Sequence, residues 1–125
     1  MELSVLHHKE NVGLDPDKLM GLYVKLGENA AEDMIERAME TLARRLAEME
    51  RQFSTQDIAA LCKSCNVIRK LSQDVGLTSV AQVSRDVVNC ALRSDRVALA
   101  ATWARLSRIG DQSLSEVWDL RGQSV

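Results

Sequence analysis

The chain is poor in the residues that build strands and sharp turns. It has one proline, one tyrosine, one phenylalanine and six glycines in 125 residues, which leaves little raw material for a fold of β-branched and aromatic strands between frequent turns. Histidine occurs only as His7 and His8, so no general base accompanies the serines and cysteines further along, and a hydrolase reading has no residues to carry it. A glycine-rich phosphate loop and the Gly-x-Gly-x-x-Gly fingerprint are missing, which leaves nucleotide binding unsupported.

Charge of one sign is lacking too. A formal net charge of -2 is too neutral to argue for nucleic acid or an anionic membrane as partner. No apolar run approaches the roughly 20 residues of a membrane span, and the N-terminus lacks the apolar core of a signal peptide. A cytoplasmic protein without a membrane partner is expected. Three cysteines, an odd number without a secretory signal, fit reduced thiols better than a disulfide framework.

What is present is helical periodicity. The organising stretch runs from Thr55 to Gly76, where Ile58, Leu61, Cys65, Ile68, Leu71 and Val75 recur at spacings of three and four and predict a long helix with one apolar side. Before it, Asp15-Pro16 is a helix-start signal for a short helix that Gly27 ends or bends. From Asn29, the residues Ala31, Ile35, Ala38, Leu42, Leu46, Met49 and Phe53 form one stripe flanked by Met34 and Met39. Asp33 with Arg37, and Glu40 with Arg44, stand acid before base on its outer face, the pattern of a solvated surface.

Ser54 followed by Asp57 resembles a capping box for the central helix, and Thr78 or Ser79 is expected to cap the next, whose apolar set is Val80, Val83, Val87 and Ala91. Ser94-Asp95 caps a last helix with Leu99, Trp103, Leu106, Val117 and Leu120 on one side. Gly110 lies on that buried side, where a missing Cβ permits close approach, and one helix with a weak point is expected there. The sum is all-α: an antiparallel up-and-down four-helix bundle with a short extra N-terminal helix. A flexible arm over residues 1–14, a single domain over 15–120 and a polar tail over 121–125 complete the expected organisation.

Cys62-Lys63-Ser64-Cys65 invites a redox or zinc reading, but the pair lies two turns inside a helix rather than at a helix N-terminus, and only Cys90 with His7 or His8 could complete a metal set. Small core residues explain the pattern better. No cofactor and no metal are expected. The polar side of the central helix carries Lys63, Asn66, Lys70 and Gln73, with Arg69 at its border: a basic patch around one asparagine.

Cys65-Asn66-Val67-Ile68-Arg69-Lys70, then Gly76, an LTSVAQVSRDV helix and a Ser-Asp turn, resemble the histidine phosphotransfer (HPt) domain of multistep two-component phosphorelays over roughly Ile58 to Arg108. The HPt-like core would span about residues 29–120. The family's pattern there is alanine, histidine, a small residue, leucine, lysine and glycine, with a second glycine six residues on. Ile68 matches the leucine, Arg69 the lysine and Gly76 the later glycine, whereas Asn66 falls at the phosphorylated histidine and Lys70 at the small glycine. The resemblance implies a four-helix bundle that docks a response-regulator receiver domain, free or part of a hybrid kinase, through Lys63, Asn66, Arg69, Lys70 and Gln73.

A carboxamide nitrogen lacks the basic lone pair with which imidazole accepts a phosphoryl group. The implied molecule is therefore a binding module and not an enzyme. The alternative is a helical oligomerisation or adaptor protein, a homodimer through spare apolar surface near Met34, Met39 and Trp118.

Overall fold

The computed structural model describes the backbone of residues 13–123 and the side chains of 13–119. Among the described residues there are five helices and no strand: α1 (Pro16–Leu26), α2 (Glu28–Ser54), α3 (Ile58–Asp74), α4 (Thr78–Leu92) and α5 (Arg96–Gln123). The all-helical class read from composition and periodicity is what the chain adopts. Residues 1–12 of the expected arm lie outside the described part. The last helix continues into the segment expected as a tail.

Local chemistry sets the helix ends. Asp15 accepts hydrogen bonds from the amides of Asp17 and Lys18, with Pro16 at the first helical position, so two otherwise unpaired donors are satisfied. Gly27, at φ 87°, ends α1 in a conformation that side-chain-bearing residues avoid. Asp57 caps α3 by accepting from the amide of Ala60, and Asp95 caps α5 by accepting from Ala98. Ser54 is not the cap its spacing suggested, because it is the last residue of α2 and its hydroxyl donates back to the Glu50 carbonyl. Nor do Thr78 or Ser79 cap α4. Leu77 holds that position without a side-chain bond, and the Thr78 hydroxyl is spent on the carbonyl of Gly13.

Neighbouring helices pack in sequence, α1 on α2, α2 on α3, α3 on α4 and α4 on α5, and α2 also meets α5. Their apolar stripes merge into one core of Leu42 and Met49 from α2, Leu61 and Ile68 from α3, Val80 and Val87 from α4, and Trp103 and Leu106 from α5. Each such side chain contributes about 1.5–3 kcal/mol by leaving water. The valines of α4 lower its intrinsic propensity but fill the interior, so packing decides its state.

Among the contacts that join α2 to α5 are two close pairs. Phe53 stacks on Trp103 with ring centroids 6.1 Å apart, and Leu46 presses on Gly110. α5 passes through Gly110 without a break. The start of the described chain is pinned to the α3–α4 turn: the Asp15 amide donates to the Gly76 carbonyl at 2.8 Å, the Thr78 amide to the Gly13 carbonyl at 3.2 Å, and Leu14 forms an isolated antiparallel bridge with Leu77.

Candidate functional site

The outer side of α3 follows from its inner side. Leu61, Ser64, Cys65, Ile68 and Ser72 are buried, so at about 100° per residue Lys63, Asn66, Lys70 and Gln73 share an arc of roughly 80° opposite them. All four are exposed. Asn66 stands free of the core, near the middle of the helix, with a lysine one turn to either side.

Two of the four line a shallow hollow. Asn66 and Lys70 border a depression of about 410 Å³ whose other walls are Val67, Leu71 and Asp74. Lys63 and Gln73 lie on the same helix outside it. Arg69 differs from the rest: it is half-buried at the opposite border of the polar side, and its Nε is enclosed without a hydrogen bond among the described residues. The five expected residues thus divide into an exposed group of four and one guanidinium tucked against the bundle.

Sequence reasoning missed the apolar floor of this hollow. Val67 is 38% exposed, and Leu71 is half-buried and packed against the core. Their helical phase was available as a signal, since Val67 precedes the buried Ile68 by one residue and therefore turns about 100° away from it. The floor gives the site an apolar centre with a basic rim at Lys70 and an acidic end at Asp74. Interfaces with a dry centre and polar rim have this composition.

The cysteines do not form a site. Cys65 is buried and Cys62 half-exposed. Burial pushes the Cys65 thiol up to about 12, with a smaller push from Cys62 beside it, and burial raises Cys62 as well. A nucleophilic or metal-ligating thiolate needs the opposite shift. Among the described residues, no three His, Cys, Asp or Glu side chains converge on a point that could hold a metal.

A larger concavity, about 540 Å³, lies where the α2–α3 and α4–α5 connections meet, walled by Phe53, Ile58 and Leu99 with Arg96 and Asp95 at its rim. Gln56 and Ser94, both at positive φ, are part of the same wall. Each permits the tight reversal that brings its two helices together.

Compared with family models, curated proteins and solved structures, the chain finds no match. Its candidate site is defined by its own geometry.

Proposed function

We propose that this chain is an HPt-like signalling module without the phospho-accepting histidine, and that it binds a response-regulator receiver domain through the face of α3 around Asn66. The observation that carries the reading is the exposure of Asn66 on α3 between Lys63 and Lys70, beside the Val67–Leu71 floor. A receiver active site is acidic, and this face offers complementary charge around an apolar centre. Lys70 reaches outward where the family's glycine would leave space. Phosphotransfer is not its activity, because the carboxamide of Asn66 cannot replace an imidazole in accepting the group.

An antiparallel up-and-down arrangement of α2 to α5, with α1 as the extra helix, belongs to the same reading. The contacts Leu46 with Gly110 and Phe53 with Trp103 run in opposite order along α2 and α5, and the connection of only three residues before α3, with the bond from Ser64 to Gln52, turns α3 back along α2. A cytoplasmic setting suits a receiver partner, and among the described residues no helix is long and apolar enough to cross a membrane.

The test is calorimetric titration with purified receiver domains, unphosphorylated and beryllofluoride-activated. Binding by the parent chain that is weakened by Lys70→Glu and Arg69→Glu, with helicity retained, supports the reading. Equal affinity in the parent and both variants removes this face from consideration.

A homodimeric or adaptor role is favoured by exposed apolar side chains: Met20 and Val24, one turn apart on α1, are 63% and 80% exposed, and Trp118 on α5 is 49% exposed. Met34 and Met39 do not supply that surface, since Met39 is buried and Met34 packs against the core. Sedimentation as a strict monomer at high micromolar concentration would exclude the homodimer.

A further inference from the structure

The seam between α2 and α3 holds an arginine that the α3 face alone does not explain. Ser64 Oγ donates to Gln52 Oε1 at 3.0 Å, which identifies the edges of the two helices that meet. Seven residues make nearly two turns and about 10 Å of helix. Arg45 therefore stands two turns from Gln52 on the same edge of α2, and Leu71 two turns from Ser64 on the same edge of α3. Gln52 and Ser64 flank a connection of only three residues, 55–57, so the chain reverses and both offsets run the same way along the seam. Arg45 and Leu71 are level across it.

Arg45 is incompletely satisfied there. Its Nε is enclosed and has no hydrogen bond among the described residues, and its guanidinium meets Glu48 only at 4.0 Å. Arg45, Glu48 and Gln52 line a polar hollow of about 490 Å³ on α2, and Leu71 lines the apolar hollow on α3. A guanidinium is a permanent cation with donors in a planar fork that matches a carboxylate. Asp74 closes the α3 hollow at one end and repels an acid approaching there, whereas the α2 hollow carries Arg51 as well as Arg45 against the single carboxylate of Glu48. An acid is therefore received on the α2 side of the seam, where Arg45 lies level with Leu71.

We infer that the docking face extends from the outer side of α3 across the seam to Arg45, and that the partner presents a carboxylate to Arg45 next to an apolar side chain seated over Val67 and Leu71. This rests on the reading of α3 as a receiver-binding face and adds the chemistry of the partner's contact. Arg45 does not touch any reacting atom; it selects partners by charge and position.

The experiment is calorimetry of the full chain with the same purified receivers, comparing the parent with Arg45→Gln, Arg45→Lys, Arg44→Gln and Lys70→Glu. Arg44 is exposed and points away from the seam. Arg45→Gln is expected to weaken binding by about tenfold, Arg45→Lys by less, and Arg44→Gln by less than about twofold. The Arg45 Nε–H resonance is expected to shift when receiver is added. Unchanged affinity in Arg45→Gln beside a loss in Lys70→Glu overturns the extension and leaves the α3 face standing. Failure of every receiver to bind the parent overturns both. Should Arg45→Gln also lower the melting temperature, the Nε–H resonance decides, and an unmoved signal sinks the proposal.

Discussion

Leu46 of α2 fills the space that the side chain of residue 110 would occupy: its Cδ1 is 2.6 Å from where a Cβ on Gly110 would stand. The glycine is a packing device. Gly110→Ala gains up to about 1 kcal/mol of helix propensity but forces Leu46, which is buried, off its position, at about 1–3 kcal/mol. A net loss of stability in urea unfolding is expected. The double variant with Leu46→Ala should lose less than the sum of the two single losses, since each change relieves the other.

Helix capping gives a contrast between neighbours in sequence. Asp57 accepts from the Ala60 amide, while the Ser54 hydroxyl only returns to the Glu50 carbonyl. Asp57→Ala should cost about 1 kcal/mol and Ser54→Ala only a few tenths of a kcal/mol, as befits an exposed hydroxyl bonded within its own helix. Equal losses in thermal unfolding would contradict this contrast.

The thiol of Cys65 ties stability to alkaline pH. Burial, with a smaller effect of Cys62, lifts its pKa from the ordinary 9.0 to about 12. The folded state therefore holds a proton that the unfolded chain gives up earlier. The associated stability is fully present below about pH 9 and is lost as pH rises towards 12. Unfolding free energy measured across that window should fall more steeply in the parent than in Cys65→Ala. At neutral pH, iodoacetamide should modify Cys62 slowly and Cys65 only on unfolding.

Gly76 couples α1 to the α3–α4 turn. It adopts φ 80°, and a Cβ there would come within 2.9 Å of the Asp15 carbonyl oxygen, while its own carbonyl accepts the Asp15 amide. Gly76→Ala is expected to cost about 1–3 kcal/mol and to speed hydrogen exchange through α1 ahead of the rest of the chain. Uniform exchange in α1 and α5 would contradict this coupling.

The features legible in the sequence were those written in spacing. Ile58, Leu61, Cys65, Ile68 and Val75 announce α3 and its inner side, and from them the exposure of Asn66 and Lys70 follows by phase alone. Asp15-Pro16 and Ser94-Asp95 gave true helix starts because their caps act within three residues. What spacing could not show depends on a partner from elsewhere in the chain. The Thr78 hydroxyl is taken by Gly13, 65 residues away in sequence, so a good local cap was diverted. Helical phase puts Arg69 at the border of the polar side, where it is half-buried, but the enclosure of its Nε is set by what packs beside α3. Arg45 gave no signal, because its place at the seam is defined only by the pairing of Gln52 with Ser64.

That pairing also settles how the first two long helices are aligned. Apolar side chains recur every turn, so sliding α3 along α2 by one turn, about 5.4 Å, would still set grease against grease. The hydroxyl of Ser64, buried in the seam, has its acceptor in Gln52, whereas such a slip would set it against the Glu48 carboxylate that now stands beside Arg45. The two alignments therefore differ in the partner of one buried hydroxyl and in whether Arg45 keeps its carboxylate, and the observed one sets the height at which Asn66 stands on the finished surface.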